Sequence, residues 1–398
     1  MKPRSTPMMI TLILLTATSI IVQNMFLPSL SAMADEFSVS YAQANGLVAG
    51  FLVATAVLSF FLGPLSDYYG RRPIMLMGLA IFCLATIGCL FAESFLLFWI
   101  FRMIQAAVVV GLLLSRAILR DLFDDKGAAK KLAQLAMAMA IAPMLAPLLG
   151  GILQENYGWR ANFWFFFCAG IAMFVLTWID LGETRHKEFK SFRDQIATYP
   201  TLLMSRRFWG YTMTTSFSIG AFYAYLGSAP IIAEDLLGLS PSMIGLFLGL
   251  ITFGFFFGNF ASSKLSDRMS FPSLMIIGRG VSLLGTGLGL ICVLLGFVSP
   301  LTVLGFAVFA GLGNGLTIPV GNAGIMSVNP KLSGSASGLS AVVLLLMSAL
   351  CSWIAGWTAS QYTVATTVPL VLVVVSALGL FFAVFTAWAE RRAGDQRQ

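Results

Sequence analysis

The sequence has little charge. Only 10% of its 398 residues are Asp, Glu, Lys or Arg, and 58% are hydrophobic. A soluble domain carries about 25% charged residues, so a water-exposed globule is excluded and lipid must solvate much of this chain. Histidine is almost absent: the single His186 sits in a basic loop, which leaves no histidine-based metal centre. The five cysteines, Cys83, Cys89, Cys168, Cys292 and Cys351, all lie in apolar runs and form no C-x-x-C pair. That excludes a disulfide framework or a thiolate metal site and leaves small apolar packing as their role. Acidic residues are missing from the middle of every long apolar run; Asp180 stands at the end of one. No acid, base or metal constellation for an enzyme is visible.

What the chain has is apolar runs of membrane-spanning length. They cover 8–30, 43–62, 74–92, 95–119, 131–153, 161–181, 209–232, 242–262, 272–295, 300–322, 335–357 and 364–389. In lipid each backbone polar group needs an internal partner, so these are helices; barrel strands would read as short alternating segments. The expected fold class is all-α integral membrane, with twelve transmembrane helices in two six-helix bundles. Lys2 and Arg4 precede the first run in the manner of a secretory signal, but the run is too long for one and is read as a retained helix.

The formal net charge is +7. A basic balance can mean nucleic acid, but here the Lys and Arg cluster in loops, so the charge sets orientation and meets anionic lipid instead. Arg71, Arg72, Arg120, Lys131, Arg206, Arg207, Lys264 and Arg268 fall on one side; Asp35, Glu36, Glu93, Glu155, Glu234 and Asp235 fall on the other, with Arg160 the outer basic residue. Both termini are expected in the cytoplasm. The longest connection divides the chain into an N-terminal bundle (1–181), a basic linker (182–208) and a C-terminal bundle (209–398). Leu65-Ser66-Asp67 recurs as Leu265-Ser266-Asp267, and Pro28 has a counterpart in Pro230. A repeated six-helix unit suits a transporter whose site lies between its halves.

The loop between the second and third runs reads Gly63-Pro64-Leu65-Ser66-Asp67-Tyr68-Tyr69-Gly70-Arg71-Arg72. It resembles the G-x-L-x-D-R-x-G-R-[RK] element of the major facilitator superfamily, with Tyr68 in place of the frequent basic residue. Arg102-Met103-Ile104-Gln105-Ala106 resembles that superfamily's R-x-x-Q-G element, with alanine for glycine. Arg116-Ala117-Ile118-Leu119-Arg120-Asp121-Leu122-Phe123 is similar to the R-A-x-x-R-D-x-[FY] pattern of the Bcr/CflA branch of drug:proton antiporters. Pro147, Gly150 and Gly151, with Pro143 upstream, match part of the antiporter motif G-x-x-x-G-P-x-x-G-G, used in relatives where helix 5 meets helix 8. The resemblance implies a bacterial inner-membrane multidrug exporter, working by alternating access on a small amphipathic compound, with a proton as coupling ion and no other cofactor. The chain is expected to be a monomer bound by lipid, without a nucleic-acid partner.

Arg102 lies about 10 Å below the outer surface at 1.5 Å per residue, where a charge is costly unless it meets water, a partner or a ligand. It is the expected functional charge, with Gln105, Gln23 and Asn24 as polar contacts and Phe217, Tyr223 and Tyr225 as aromatic lining. Asp67, Arg71, Arg116, Arg120 and Asp121 are expected to form a cytoplasmic gate. The branch usually reads D-M-Y-L-P where this chain has Asn24-Met25-Phe26-Leu27-Pro28. An amide cannot carry a proton as a carboxylate does. An alternative therefore stays open: export or facilitated passage of an anionic metabolite or siderophore, not coupled through a first-helix carboxylate.

Overall fold

The computed structural model describes residues 7–123, 125–184 and 199–395, and these are helical almost throughout. Twelve helices are long and apolar enough to cross a membrane. In chain order they are α1 (Met9–Glu36), α2 (Tyr41–Tyr69), α3 (Arg71–Leu90), α4 (Phe95–Leu122), α5 (Gln134–Tyr157), α6 (Arg160–Asp180), α7 (Arg206–Leu236), α8 (Pro241–Leu265), α9 (Phe271–Leu294), α10 (Leu301–Ser327), α11 (Ser333–Gln361) and α12 (Thr367–Arg392). Most of the linker expected over 182–208 lies outside the described residues, as do Lys2, Arg4 and His186.

The helix count agrees with the apolar runs, but several helices are longer. α1 continues past Pro28 to Glu36 because the proline opens a short 3-10 turn, Leu27–Ser29, instead of ending the chain direction. Proline has no N–H to satisfy and is accommodated where a helical turn begins. α4 passes through a similar turn at Ala106–Val108 and reaches Leu122. Helix starts are closed by side chains where the sequence supplies serine. Ser40 and Gln43 form a reciprocal capping box on α2, and Ser94, Ser205 and Ser270 each accept the third backbone N–H of the helix that follows.

The outward faces are greasy. Phe253, Phe256, Phe257 and Phe260 project from α8, Leu284, Leu288 and Ile291 from α9, and Phe381, Val384 and Trp388 from α12, all exposed. Spacings of three and four put each set on one stripe, and in water such stripes would be an aggregation hazard. Lipid is their solvent, so the chain is a multi-pass membrane protein.

The two ends of the molecule differ. The basic end carries Arg71, Arg120, Arg206 and Lys264; the acidic end carries Asp35, Glu36, Glu155, Glu234 and Asp235. At the acidic end the first six helices touch the last six along two seams, α5 on α8 and α2 on α11. Glycine permits the first seam. A Cβ at Gly151 would strike the Pro241 carbonyl, and one at Gly245 would strike that of Pro147. Backbones this close tolerate only hydrogen at those positions.

Candidate functional site

Between the two sets of helices lies a cavity of about 600 Å³, well within the range that holds drug-sized molecules. It runs from Gln23 and Tyr223 toward the basic end, where exposed Arg120 and Met326 mark its mouth. Its ceiling is closed by contacts between the halves. The Gln23 amide Nε2 donates to the Tyr223 hydroxyl at 2.7 Å. Beyond it the Tyr41 hydroxyl donates to the Gly227 carbonyl at 3.1 Å, and Asn45 Nδ2 donates to the Ser352 carbonyl at 2.8 Å. Glu155 of α5 accepts the backbone N–H of Ser242 at 3.3 Å, at the start of α8. The structure is therefore sealed at the acidic end and accessible from the basic one.

The walls are mostly apolar. Phe51, Phe222, Ile251, Phe255 and Leu345 supply aromatic and aliphatic surface. Asn24 joins the wall with its Nδ2 tied to the Ile20 carbonyl at 2.8 Å. Asn314, Asn322, Ser337 and Ser340 add polar groups from α10 and α11. Arg116 and Arg120 are the charged residues of this lining among the described residues; no carboxylate accompanies them.

Of the expected site residues, Gln23, Asn24 and Tyr223 line the cavity and the first meets the third directly. Arg102 does not line it, which corrects its expected place. It is fully buried among the first six helices. Its Nη2 donates to the Val22 carbonyl at 2.9 Å and its Nη1 donates to Gln105, while the guanidinium lies over Phe26 and Phe51 at 4.2 and 4.4 Å from the ring centres. Gln105 is likewise internal and donates to Thr86 Oγ1 at 2.8 Å. Carbonyl, amide and ring faces replace water around the cation, so it can stay charged in the bundle without facing the cavity. Phe217 and Tyr225 are also turned away. Phe217 stacks on Phe382 at 5.5 Å, and the Tyr225 hydroxyl donates to the Phe247 carbonyl at 3.0 Å. At 100° per residue the face of α7 that carries Ile219, Phe222 and Tyr223 into the cavity cannot carry those two.

The expected gate separates into two groups. Arg71 holds Asp67 at 2.6 Å and Asp121 at 2.8 Å, knitting the α2–α3 turn to α4. Glu183, which sequence reasoning passed over, accepts the Arg71 backbone N–H at 2.9 Å. Gly70 makes room for that carboxylate and adopts φ +108°, a conformation that favours glycine. Arg116 and Arg120 are not in this cluster; they face the cavity. All these ion pairs lie within the first six helices and their immediate extension.

The α5 motif residues lie at the inter-half seam. Pro143 lines the cavity, Pro147 and Gly151 pack on α8, and Gly150 packs on the Met25 carbonyl of α1. A residue missed in the sequence is Arg279, fully buried in α9. Its Nη2 donates to Asn314 Oδ1 at 2.6 Å and its Nε to Thr317 Oγ1 at 3.2 Å. The signal was present: an arginine flanked by Gly278 and Gly280 inside an apolar run.

The sequence pattern described as Major Facilitator Superfamily matches residues 12–286. The chain belongs to this superfamily. Similar proteins include Multidrug resistance protein D of Escherichia coli (strain K12), 28% identical over 341 residues, covering 85% of each chain. Another is the bicyclomycin resistance protein homolog of Haemophilus influenzae, 27% identical over 337 residues, covering 82% of this chain and 83% of that one. Among solved structures, a bacterial homolog of the human lysosomal transporter Spinster overlays with a TM-score of 0.74 at 16% identity, over 96% of both chains. That overlay supports the superfamily fold alone.

Proposed function

We propose that this protein exports small amphipathic compounds from the cytoplasm by alternating access. The bodies 1–181 and 209–398 rock about the shared cavity, and both termini lie in the cytoplasm. The observation that carries the reading is the cavity itself: apolar and aromatic walls with a few polar groups, reached from the basic end and sealed by α5–α8 and α2–α11 at the acidic end. Loops rich in Lys and Arg stay cytoplasmic, so the accessible mouth faces the compartment from which cargo is removed. The relatives named for multidrug and bicyclomycin resistance support this direction and substrate breadth.

Exchange against inward protons fits the antiporter motifs, yet the cavity offers no carboxylate among its described lining and Asn24 stands at the expected acid position. Reconstitution in proteoliposomes tests both parts, with a panel of amphipathic dyes and antibiotics of either charge. Carrier-dependent movement of at least one compound is expected, faster under a proton gradient. Movement that ignores the gradient removes antiport and favours a facilitator of anionic compounds. No movement under any condition overturns the transporter reading.

A further inference from the structure

The charge of the cavity narrows the cargo. Arg116 and Arg120 are four residues apart on α4, on one helical face. Two like charges at that spacing repel each other, and no carboxylate among the described lining residues relieves them. Arg116 is half-buried, and among the described residues its Nη2 donates to the Met139 thioether at 3.0 Å, a weak acceptor for a group with five N–H donors. Each guanidinium is a planar, cationic fork lining the cavity, and each is matched to a carboxylate that can accept two bonds at once.

The opposite wall has the same polarity for an independent reason. Asn314 lines the cavity, and its Oδ1 is held by buried Arg279. An amide whose oxygen is engaged by a guanidinium presents its NH₂ group elsewhere, so Asn314 serves the cavity as a donor. Arg279 has no ion-pair partner among the described residues, so its positive field is uncompensated in a medium of low dielectric. The same lining supplies the rings of Phe51, Phe222 and Phe255, and the Gln23–Tyr223 contact closes its ceiling.

We propose that the cargo is an amphipathic organic acid, its anionic group held by Arg116 and Arg120 near the mouth and its flat apolar body lodged among the phenyl rings above. This deepens the export reading and rests on it. A cation would meet two guanidinium groups at the entrance and would be rejected.

The test uses the full chain in nanodiscs of zwitterionic lipid, so that no anionic headgroup competes. Binding is measured by titration calorimetry for three probes of one shape: 2-naphthoate, methyl 2-naphthoate and N,N,N-trimethyl-2-naphthylammonium. The acid is expected to bind at least about tenfold more tightly than the ester, as suits hydrogen bonds to a charged group, and the cation not to compete. Arg116→Gln and Arg120→Gln should each reduce the acid-to-ester ratio, and the double variant should bring it near unity. Arg116→Lys should keep part of it, since charge remains but the fork does not. A melting temperature in the variants equal to that of the parent reports an intact fold. Binding of the cation as tight as the acid, an undiminished ratio in the double variant, or no binding of any probe overturns the proposal. Transport of neutral or cationic dyes in the proteoliposome assay would leave the export reading standing in each of those cases.

Discussion

Arg102 shows what one residue's environment decides. Its position in an apolar run signals that the charge needs partners, and the partners turn out to be internal: the Val22 carbonyl, Gln105 and the faces of Phe26 and Phe51. Arg102→Ala should therefore act on stability. Each buried polar group left without its partner costs about 1–3 kcal/mol, so the melting temperature in detergent should fall clearly while probe affinity per folded molecule is kept. A variant that melts like the parent yet loses probe affinity would return Arg102 to the cavity. The sequence could flag this residue by composition, but it could not say which way the side chain turns. A one-residue change of helical phase separates Tyr223, in the cavity wall, from Ala224, and two residues carry Tyr225 to the far side of α7. Those phases depend on packing between helices remote in sequence. Arg279 was legible by the same rule as Arg102 and simply demanded the same attention.

Helix elements were easier to read, because length and apolarity decide them locally. The twelve runs are twelve helices; what escaped was where they continue, as at Pro28, where a 3-10 turn carries α1 onward. The α5 motif was also legible as a packing element, since prolines and glycines at that spacing thin a helix face. The resemblance already implied α8 as its partner; the individual contacts are visible only in three dimensions: Gly151 against Pro241, Gly245 against Pro147, and Gly249, where a Cβ would lie 2.8 Å from the Met144 carbonyl. Gly245→Leu should force α5 and α8 apart at the acidic end. The expected result is a folded protein in which a cysteine introduced at Ser242 reacts faster with a membrane-impermeant maleimide added on the acidic side, together with transport reduced about tenfold or more, as befits overpacking at a close helix crossing. Unaltered labelling would show that the seam does not limit opening.

At the scale of the whole molecule, the repeated Leu-Ser-Asp triplets and the alternation of basic and acidic loops announced two sets of six helices. The closure of the cavity at the acidic end was not announced, because it depends on contacts between helices remote in sequence. Asn45 and Gly356 lie in direct contact across the α2–α11 seam. A double variant with Asn45→Cys and Gly356→Cys should form a bridge under mild oxidation, arrest transport, and recover it on reduction. Each single variant should be insensitive to oxidant. Continued transport with the bridge formed would mean that this end need not part during turnover.

The bond from Gln23 to Tyr223 spans the seam at the cavity's innermost point. If the proposed export cycle holds, a guest that climbs that far competes for the phenol that clasps one side of the machine to the other. Loading and unlatching would then be a single event, and an unladen carrier would have nothing to pry its far door ajar.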